Sequence, residues 1–306
     1  MSYYTMPDGE KLYVRELGRG KPVLILSGLG MSSWQWLVFI TPSLSQCRFI
    51  IPDYRGFGGS KNCKIPTQLD AIASHWQDID CLVKQLAEKG MQELDVVAYS
   101  MGATTAMHGF KYGNFTQFVR RYLQIDQTAK FKNDAQWQWG FMGKQQDATL
   151  ATLAKITTLL APYTDKKATI HQLPKNTKRQ LAKTTLDLIQ QQNPQSHLYR
   201  MLAQLNPTKI ALHALPLQSI PYLLWYLNSY LEHDEDYRAA LTALQIPTRF
   251  IIGKKSALYQ AQGQLYLAEQ LEQVKIHTFK HSGHAPLLNE PFKFTQVLNH
   301  FLQSTH

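Results

Sequence analysis

Long apolar runs are missing from this chain of 306 residues; none reaches the roughly 18 residues that a membrane span needs. Its start, Met1-Ser2-Tyr3-Tyr4-Thr5-Met6-Pro7-Asp8-Gly9-Glu10, has no basic segment leading into an apolar one. No secretory leader is read there, and a cytoplasmic protein that does not insert into membranes is the expectation. Cysteine is scarce as well. Cys47, Cys63 and Cys81 make no C-x-x-C pair and leave an odd thiol, which fits reduced side chains rather than a disulfide framework. His281 and His284 stand close together without a third ligand nearby, so no structural or catalytic metal is expected, and no cofactor.

Acidic residues are the other shortage. The chain has 22 Asp and Glu against 32 Lys and Arg, a formal charge of +10. Such a field attracts anionic partners and says nothing about fold. Much of the excess lies in the middle, where only Asp134, Asp147, Asp165 and Asp187 oppose the lysines and arginines between Lys130 and Trp225. A nucleic-acid partner is not expected, because neither aromatic-basic interleaving nor a binding module accompanies the charge.

What is present is enough apolar residue, 44% of the chain, for a full core in one large domain or in one domain with an insertion. Val23-Leu24-Ile25-Leu26, Arg48-Phe49-Ile50-Ile51, Leu94-Asp95-Val96-Val97-Ala98 and Arg121-Tyr122-Leu123-Gln124-Ile125 read as strands buried on both faces. Between them, Asp70 to Lys89 places Ile72, Trp76, Ile79, Leu82, Val83 and Leu86 at helical spacing. This alternation predicts an α/β fold with a mostly parallel twisted sheet flanked by helices. From about 130 to 243 the pattern becomes helical and is broken at Pro162, Pro174, Pro194, Pro207, Pro216 and Pro221. Alternation then resumes with strands at Thr248-Ile252 and Val274-Phe279 and helices around Ala261-Gln270 and Pro291-Leu302. The expected organisation is a core at 1–129, a helical cap at 130–243 and the rest of the core at 244–306.

A serine attacks a carbonyl only if it is exposed and beside a base. The strand-to-helix turn Ala98-Tyr99-Ser100-Met101-Gly102 supplies exposure, since small residues two before and two after the serine let strand and helix backbones pass closely. Alanine stands where the first glycine of that pattern is usual. A glycine-rich loop, Ser27-Gly28-Leu29-Gly30, follows the strand at Val23-Leu26. The backbone N–H groups of Leu29 and Met101 are the candidate donors to a developing oxyanion. A dinucleotide loop is the competing reading of Gly28-x-Gly30, but the third glycine position holds Ser33.

Together with Asp53-x-Arg55-Gly56-x-Gly58-x-Ser60 and Ser282-Gly283-His284-Ala285-Pro286, these motifs occur in the order seen in the α/β-hydrolase superfamily, which the chain resembles over its whole length except the cap. The resemblance implies an α/β-hydrolase fold, Ser100 as nucleophile, His284 as general base, and a bracing role for Asp53 and Arg55. It also exposes a departure. The family usually supplies the acid in a Gly-x-x-Asp turn, and here that turn reads Gly253-Lys254-Lys255-Ser256. Some members place the acid after the preceding core strand, where this chain has Asp126. Asp126 is therefore the candidate acid; were it only a loop residue, Ser100 and His284 would act as a dyad.

The candidate pocket residues are Trp34 and Tyr99 beside the motifs, with Trp139 and Phe141 from the insertion. Lys175, Lys178, Arg179 and Lys183 would share roughly one face of a helix beginning near Asn176. A cationic cap over an acyl pocket suits an acidic acyl carrier protein, and the layout is similar to the carrier-protein methyl esterases of biotin synthesis. The leading expectation is a serine carboxylesterase acting through an acyl-enzyme. Hydrolysis of free small esters, lactones or thioesters, a non-catalytic binding protein on the same scaffold, and a nicotinamide-dependent oxidoreductase are the alternatives.

Overall fold

The computed structural model describes residues 2–165, 167–192 and 207–304. Eight strands form one sheet: β1 (Ser2–Thr5), β2 (Lys11–Gly18), β3 (Lys21–Leu26), β4 (Cys47–Pro52), β5 (Leu94–Tyr99), β6 (Val119–Ile125), β7 (Thr248–Gly253) and β8 (Val274–Phe279). Their spatial order is β1-β2-β4-β3-β5-β6-β7-β8. The pairs β1/β2 and β2/β4 are antiparallel, and from β4 to β8 every pair is parallel.

The parallel strands are apolar on both sides because helices cover both faces. Along β3, Leu24 and Leu26 enter one core layer while Val23 and Ile25 enter the other. The first layer holds α1 (Ala71–Glu88) and α2 (Met101–Tyr112). Asp70 starts α1 by accepting the Ala73 N–H at 2.8 Å, and Ile79, Leu82, Val83 and Leu86 are its fully buried stripe.

Between β6 and β7 the chain leaves the sheet for α3 (Gln146–Leu160), α4 (Lys175–Gln192), α5 (Pro207–Ala214) and α6 (Ile220–Glu232), joined among the described residues by turns and isolated bridges. Proline explains the breaks. Pro207 and Pro221 sit in the first turns of α5 and α6, where no intrahelical N–H is lost, and Pro174 directly precedes α4. Pro194 lies outside the described residues. The second sheet face is closed by α8 (Pro291–Gln303), which follows α7 (Ala261–Ala268) and β8 and buries Phe294, Leu298 and Phe301.

The antiparallel edge, β1 with β2, is not visible in the sequence patterning. Its strands carry polar residues, the exposed Lys11 and the half-buried Arg15 and Glu16 among them, so no continuous apolar run marks them. No described helix is long and apolar enough to cross a membrane, and among the described residues no three His, Cys, Asp or Glu side chains converge as a metal site would require.

Candidate active site

The site lies where the parallel strands end. In register, Leu26 of β3 pairs with Ala98 of β5, and Tyr99 of β5 pairs with Ile125 of β6. The next residues are Ser100 and Asp126, and the ladder continues into them: Ser100 N–H donates to Ile125 O at 3.1 Å and Asp126 N–H donates to Ile251 O at 2.9 Å. Neighbouring strand ends therefore deliver both side chains to one place. Both residues have positive φ, 51° for Ser100 and 42° for Asp126, a conformation that non-glycine residues rarely hold without a surrounding structure that enforces it.

For Ser100 the enforcing contact is the tight strand-to-helix turn. A Cβ at Gly102 would strike the Leu26 carbonyl oxygen, so α2 can start this close to β3 only with glycine there. Ala98 is a regular strand residue paired with Leu26 and Gln124, which is why alanine serves in place of the first glycine. Gly28 is similarly pressed: a Cβ there would lie 2.9 Å from the Tyr99 ring and 3.3 Å from the Ser100 Cβ.

His284 arrives from the loop between β8 and α8. Its Nδ1 is 2.8 Å from Asp126 Oδ2 and its Nε2 is 2.8 Å from Ser100 Oγ. A carboxylate can only accept, so Nδ1 donates and Nε2 is left to accept the serine proton. The imidazole is held on its faces by Tyr99, stacked at 5.3 Å, and by Tyr259, edge-on at 5.3 Å. Tyr99 also donates its hydroxyl to the His284 carbonyl at 3.1 Å.

Asp126 has no solvent exposure, and an isolated carboxylate would be costly there. It is satisfied from three further sides. Oδ1 accepts the Gly253 N–H at 2.9 Å and Gln264 Nε2–H at 3.1 Å, and Oδ2 accepts Ser256 Oγ–H at 2.6 Å. The Gly253-Lys254-Lys255-Ser256 turn thus does not supply an acid; it supplies donors to one on the next strand. Gln264 was not singled out by sequence, and Ser256 only as the residue in the place of the usual acid; the signal for them as donors is only that a buried carboxylate needs donors.

Leu29 lies three residues beyond Leu26, and Met101 opens α2 directly after Ser100. Neither backbone N–H has a partner among the described residues, and both flank the serine. Asp53 braces this loop, accepting Ser33 N–H at 2.5 Å and Gly59 N–H at 2.8 Å. Arg55 is buried in a bidentate pair with Asp78 at 2.6 and 2.7 Å and also meets Asp8.

Above Ser100 and His284 is a cavity of about 270 Å³ roofed by α3, α4 and α6. Its walls include Phe141, Leu153, Ile156, Leu188, Leu223 and Leu227, and Tyr99 and Leu29 reach it from the core. Two expected wall residues are elsewhere. Trp34 is 61% exposed because the short turn at Ser33–Trp36 turns Trp36 inward instead, with its indole N–H on Ser27 Oγ at 3.0 Å. Trp139 packs edge-on against Trp137 at 5.2 Å and against Tyr266 of α7 at 5.6 Å, outside the cavity lining.

The basic residues Lys175, Lys178, Arg179 and Lys183 lie on α4, which begins at Lys175. Lys175, Arg179 and Lys183 are exposed and Lys178 is half-buried, while Thr185, Leu188 and Ile189 of the same helix face the cavity.

Comparison with known proteins agrees with this architecture. The sequence profile of the family described as alpha/beta hydrolase fold matches residues 21–291. A pimeloyl-[acyl-carrier protein] methyl ester esterase of Nitrosomonas europaea is 22% identical over 288 residues, covering 94% of this chain and 98% of that one. Among solved structures, an esterase from Exiguobacterium antarcticum superposes with a TM-score of 0.68 at 20% identity, covering 99% of both chains. An α/β-hydrolase enzyme from a Medee basin deep-sea metagenome library gives a TM-score of 0.70 at 16% identity, over 100% of this chain and 98% of that one. By the span of that profile match, and with a parallel sheet that sets serine, histidine and aspartate in hydrogen-bonded line at its strand ends, the chain belongs to the α/β-hydrolase fold family.

Proposed function

We propose that the protein is a serine carboxylic ester hydrolase that works through an acyl-enzyme on Ser100. The observation that carries this reading is the unbroken line Ser100–His284–Asp126, with both hydrogen bonds at 2.8 Å, on the floor of an apolar cavity. His284 takes the Ser100 proton as the oxygen attacks the ester carbonyl, then returns it to the leaving alcohol. Water repeats the exchange to release the acid. Asp126 keeps the imidazole in the productive tautomer and stabilises its positive form. The N–H groups of Leu29 and Met101 receive the charge that develops on the carbonyl oxygen, and one such donor is typically worth about 3 kcal/mol of barrier. The hydrogen-bonded Asp126 speaks against a non-catalytic binding protein, since it fills the place of the acid that the Gly253–Ser256 turn lacks.

The cavity wall carries no Asp, Glu, Lys or Arg among the described residues, which suits an uncharged acyl portion in the substrate. Its size is near the lower end of ligand pockets, roughly 300 Å³, which favours a short or medium acyl chain. Within that class we favour a methyl ester carried on acyl carrier protein. Support comes from the cationic outer face of α4, whose inner face lines the cavity, and from the distant carrier-protein esterase relative. Free small esters, lactones and thioesters are the alternative substrates.

The test is turnover of p-nitrophenyl acetate, butyrate and octanoate and of a carrier-protein methyl ester by wild type and by Ser100→Ala. Hydrolysis that disappears in the variant is expected. No turnover of any of them by the wild type would refute the esterase, and turnover of the free esters alone would refute the carrier-borne substrate.

A further inference from the structure

A second cavity, of about 530 Å³, opens at the opposite end of the sheet, where β6, β7 and β8 begin. Arg120, Arg121, Arg249 and Lys275 line it, with Glu272 at its wall. The buried carboxylate beneath is Asp95, and its oxygens are already taken. Arg120 donates to both, at 2.9 and 2.7 Å, and Arg121 also donates to both. Four cations thus face Asp95 and Glu272, with Glu93 also acting on Arg120, and Arg249 is ion-paired with none of the three among the described residues.

Arg249 is the informative member. It is 4% exposed; Nη2 donates to Ser304 Oγ at 2.7 Å, and Nη1 has no hydrogen-bond partner among the described residues. A buried guanidinium with an unused donor beside a second guanidinium is an expensive arrangement unless an anion completes it. Stacking of Arg121 and Arg249 over Phe301, at 5.0 and 5.6 Å, accommodates the faces of both groups but not their N–H edges. Burial, and then the charge of Arg121, pull the Arg249 group below its ordinary value, as expected of a cation that lacks its counterion.

We propose that this cavity is a binding site for a phosphate-type oxyanion, either inorganic phosphate or the head of a phosphomonoester. Such an ion presents several acceptor oxygens at the spacing of a guanidinium fork. Arg249 supplies the buried donor and Lys275 an exposed cation at the mouth. Asp95 holds Arg120 and Arg121 in place without neutralising the cluster. The site is independent of Ser100 and of the esterase reading, because it lies at the N-terminal strand ends and the catalytic residues at the C-terminal ones.

Calorimetric titration of the full chain with sodium phosphate and with glycerol phosphate, at constant ionic strength in chloride, tests the proposal. Saturable one-to-one binding is expected, unchanged in Ser100→Ala and weakened about tenfold or more in Arg249→Gln and in the surface variant Lys275→Glu. Tighter binding of glycerol phosphate would assign the monoester, and equal binding the free ion. The proposal is overturned if neither anion binds better than chloride, or if the folded variants bind as the wild type does. Binding that emerges only after deletion of residues 305–306 would also overturn it, by giving the cluster to the chain's own tail. Should Arg249→Gln fail to fold, Lys275→Glu carries the same comparison.

Discussion

At the scale of single residues, the acid is the distinctive member of the site. Asp126 sits one residue beyond β6 rather than in the turn after β7, and Ser256 in that turn donates to it at 2.6 Å. Replacing Asp126 with Asn should leave the fold intact and lower kcat by about 10⁴-fold, because an amide donor on Nδ1 selects the wrong imidazole tautomer. Stopped assays with p-nitrophenyl butyrate would measure it. The double variant Asp126→Asn with Ser256→Asp should recover a measurable part of that loss, whereas Ser256→Asp alone should lower activity, since two buried carboxylates cannot both ionise cheaply. An unchanged rate in Asp126→Asn would mean that Ser100 and His284 act as a dyad. Ser100, His284 and Asp126 were legible in the sequence because each is tied to a strand end or a fixed loop motif. Trp34 and Trp139 were not, because which way an aromatic faces depends on the packing around it, here Trp36 taking the inward place on Ser27 and, far along the chain, Tyr266 meeting Trp139.

At the scale of elements, the parallel strands and the helices could be read from apolar runs and proline breaks, and their bounds fall within a few residues of the observed ones. β1 and β2 could not, since a sheet edge with one wet face leaves little apolar signal. The close crossing of α2 over β3 gives a sharp expectation. Gly102→Val should destabilise the protein by several kcal/mol or prevent folding, as its side chain would meet the Leu26 backbone rather than a movable side chain; thermal unfolding reads this directly. On α4, reversal of Lys175, Arg179 and Lys183 to Glu should reduce kcat/KM for a carrier-borne ester by about tenfold or more at low salt and leave p-nitrophenyl esters unaffected. Rim charges act mainly on encounter, and salt screens them. Equal effects on both substrates would remove α4 from any docking role.

At the scale of the whole molecule, two buried histidines make stability fall in acid. Burial pushes His75 down to about 3 and His233 down to about 4. In the unfolded chain both take up a proton near pH 6.5, so acid favours unfolding. Their contribution is complete above pH 6.5 and is lost as pH falls toward 4 and then 3, at about 1.4 kcal/mol per pH unit for each group. The urea midpoint should therefore drop between pH 6.5 and 4.5. His233→Phe should flatten that drop, because His233 packs against Phe131 and Tyr237 and its ring can be replaced by an apolar one.

The position of Asp126 has one more consequence. On the proposed roles, the chain has laid down nucleophile, acid and both oxyanion donors before it departs for the helices that roof the cavity, and the histidine comes back from beyond them with the Gly253, Ser256 and Gln264 groups that donate to Asp126. The stretch from beyond Asp126 to β7 can therefore be rewritten in length or specificity without transplanting any charge-bearing part of the chemistry. A library of exchanged roofs, each followed by the same closing segment with its single returning imidazole, is the natural way to give this scaffold new substrates.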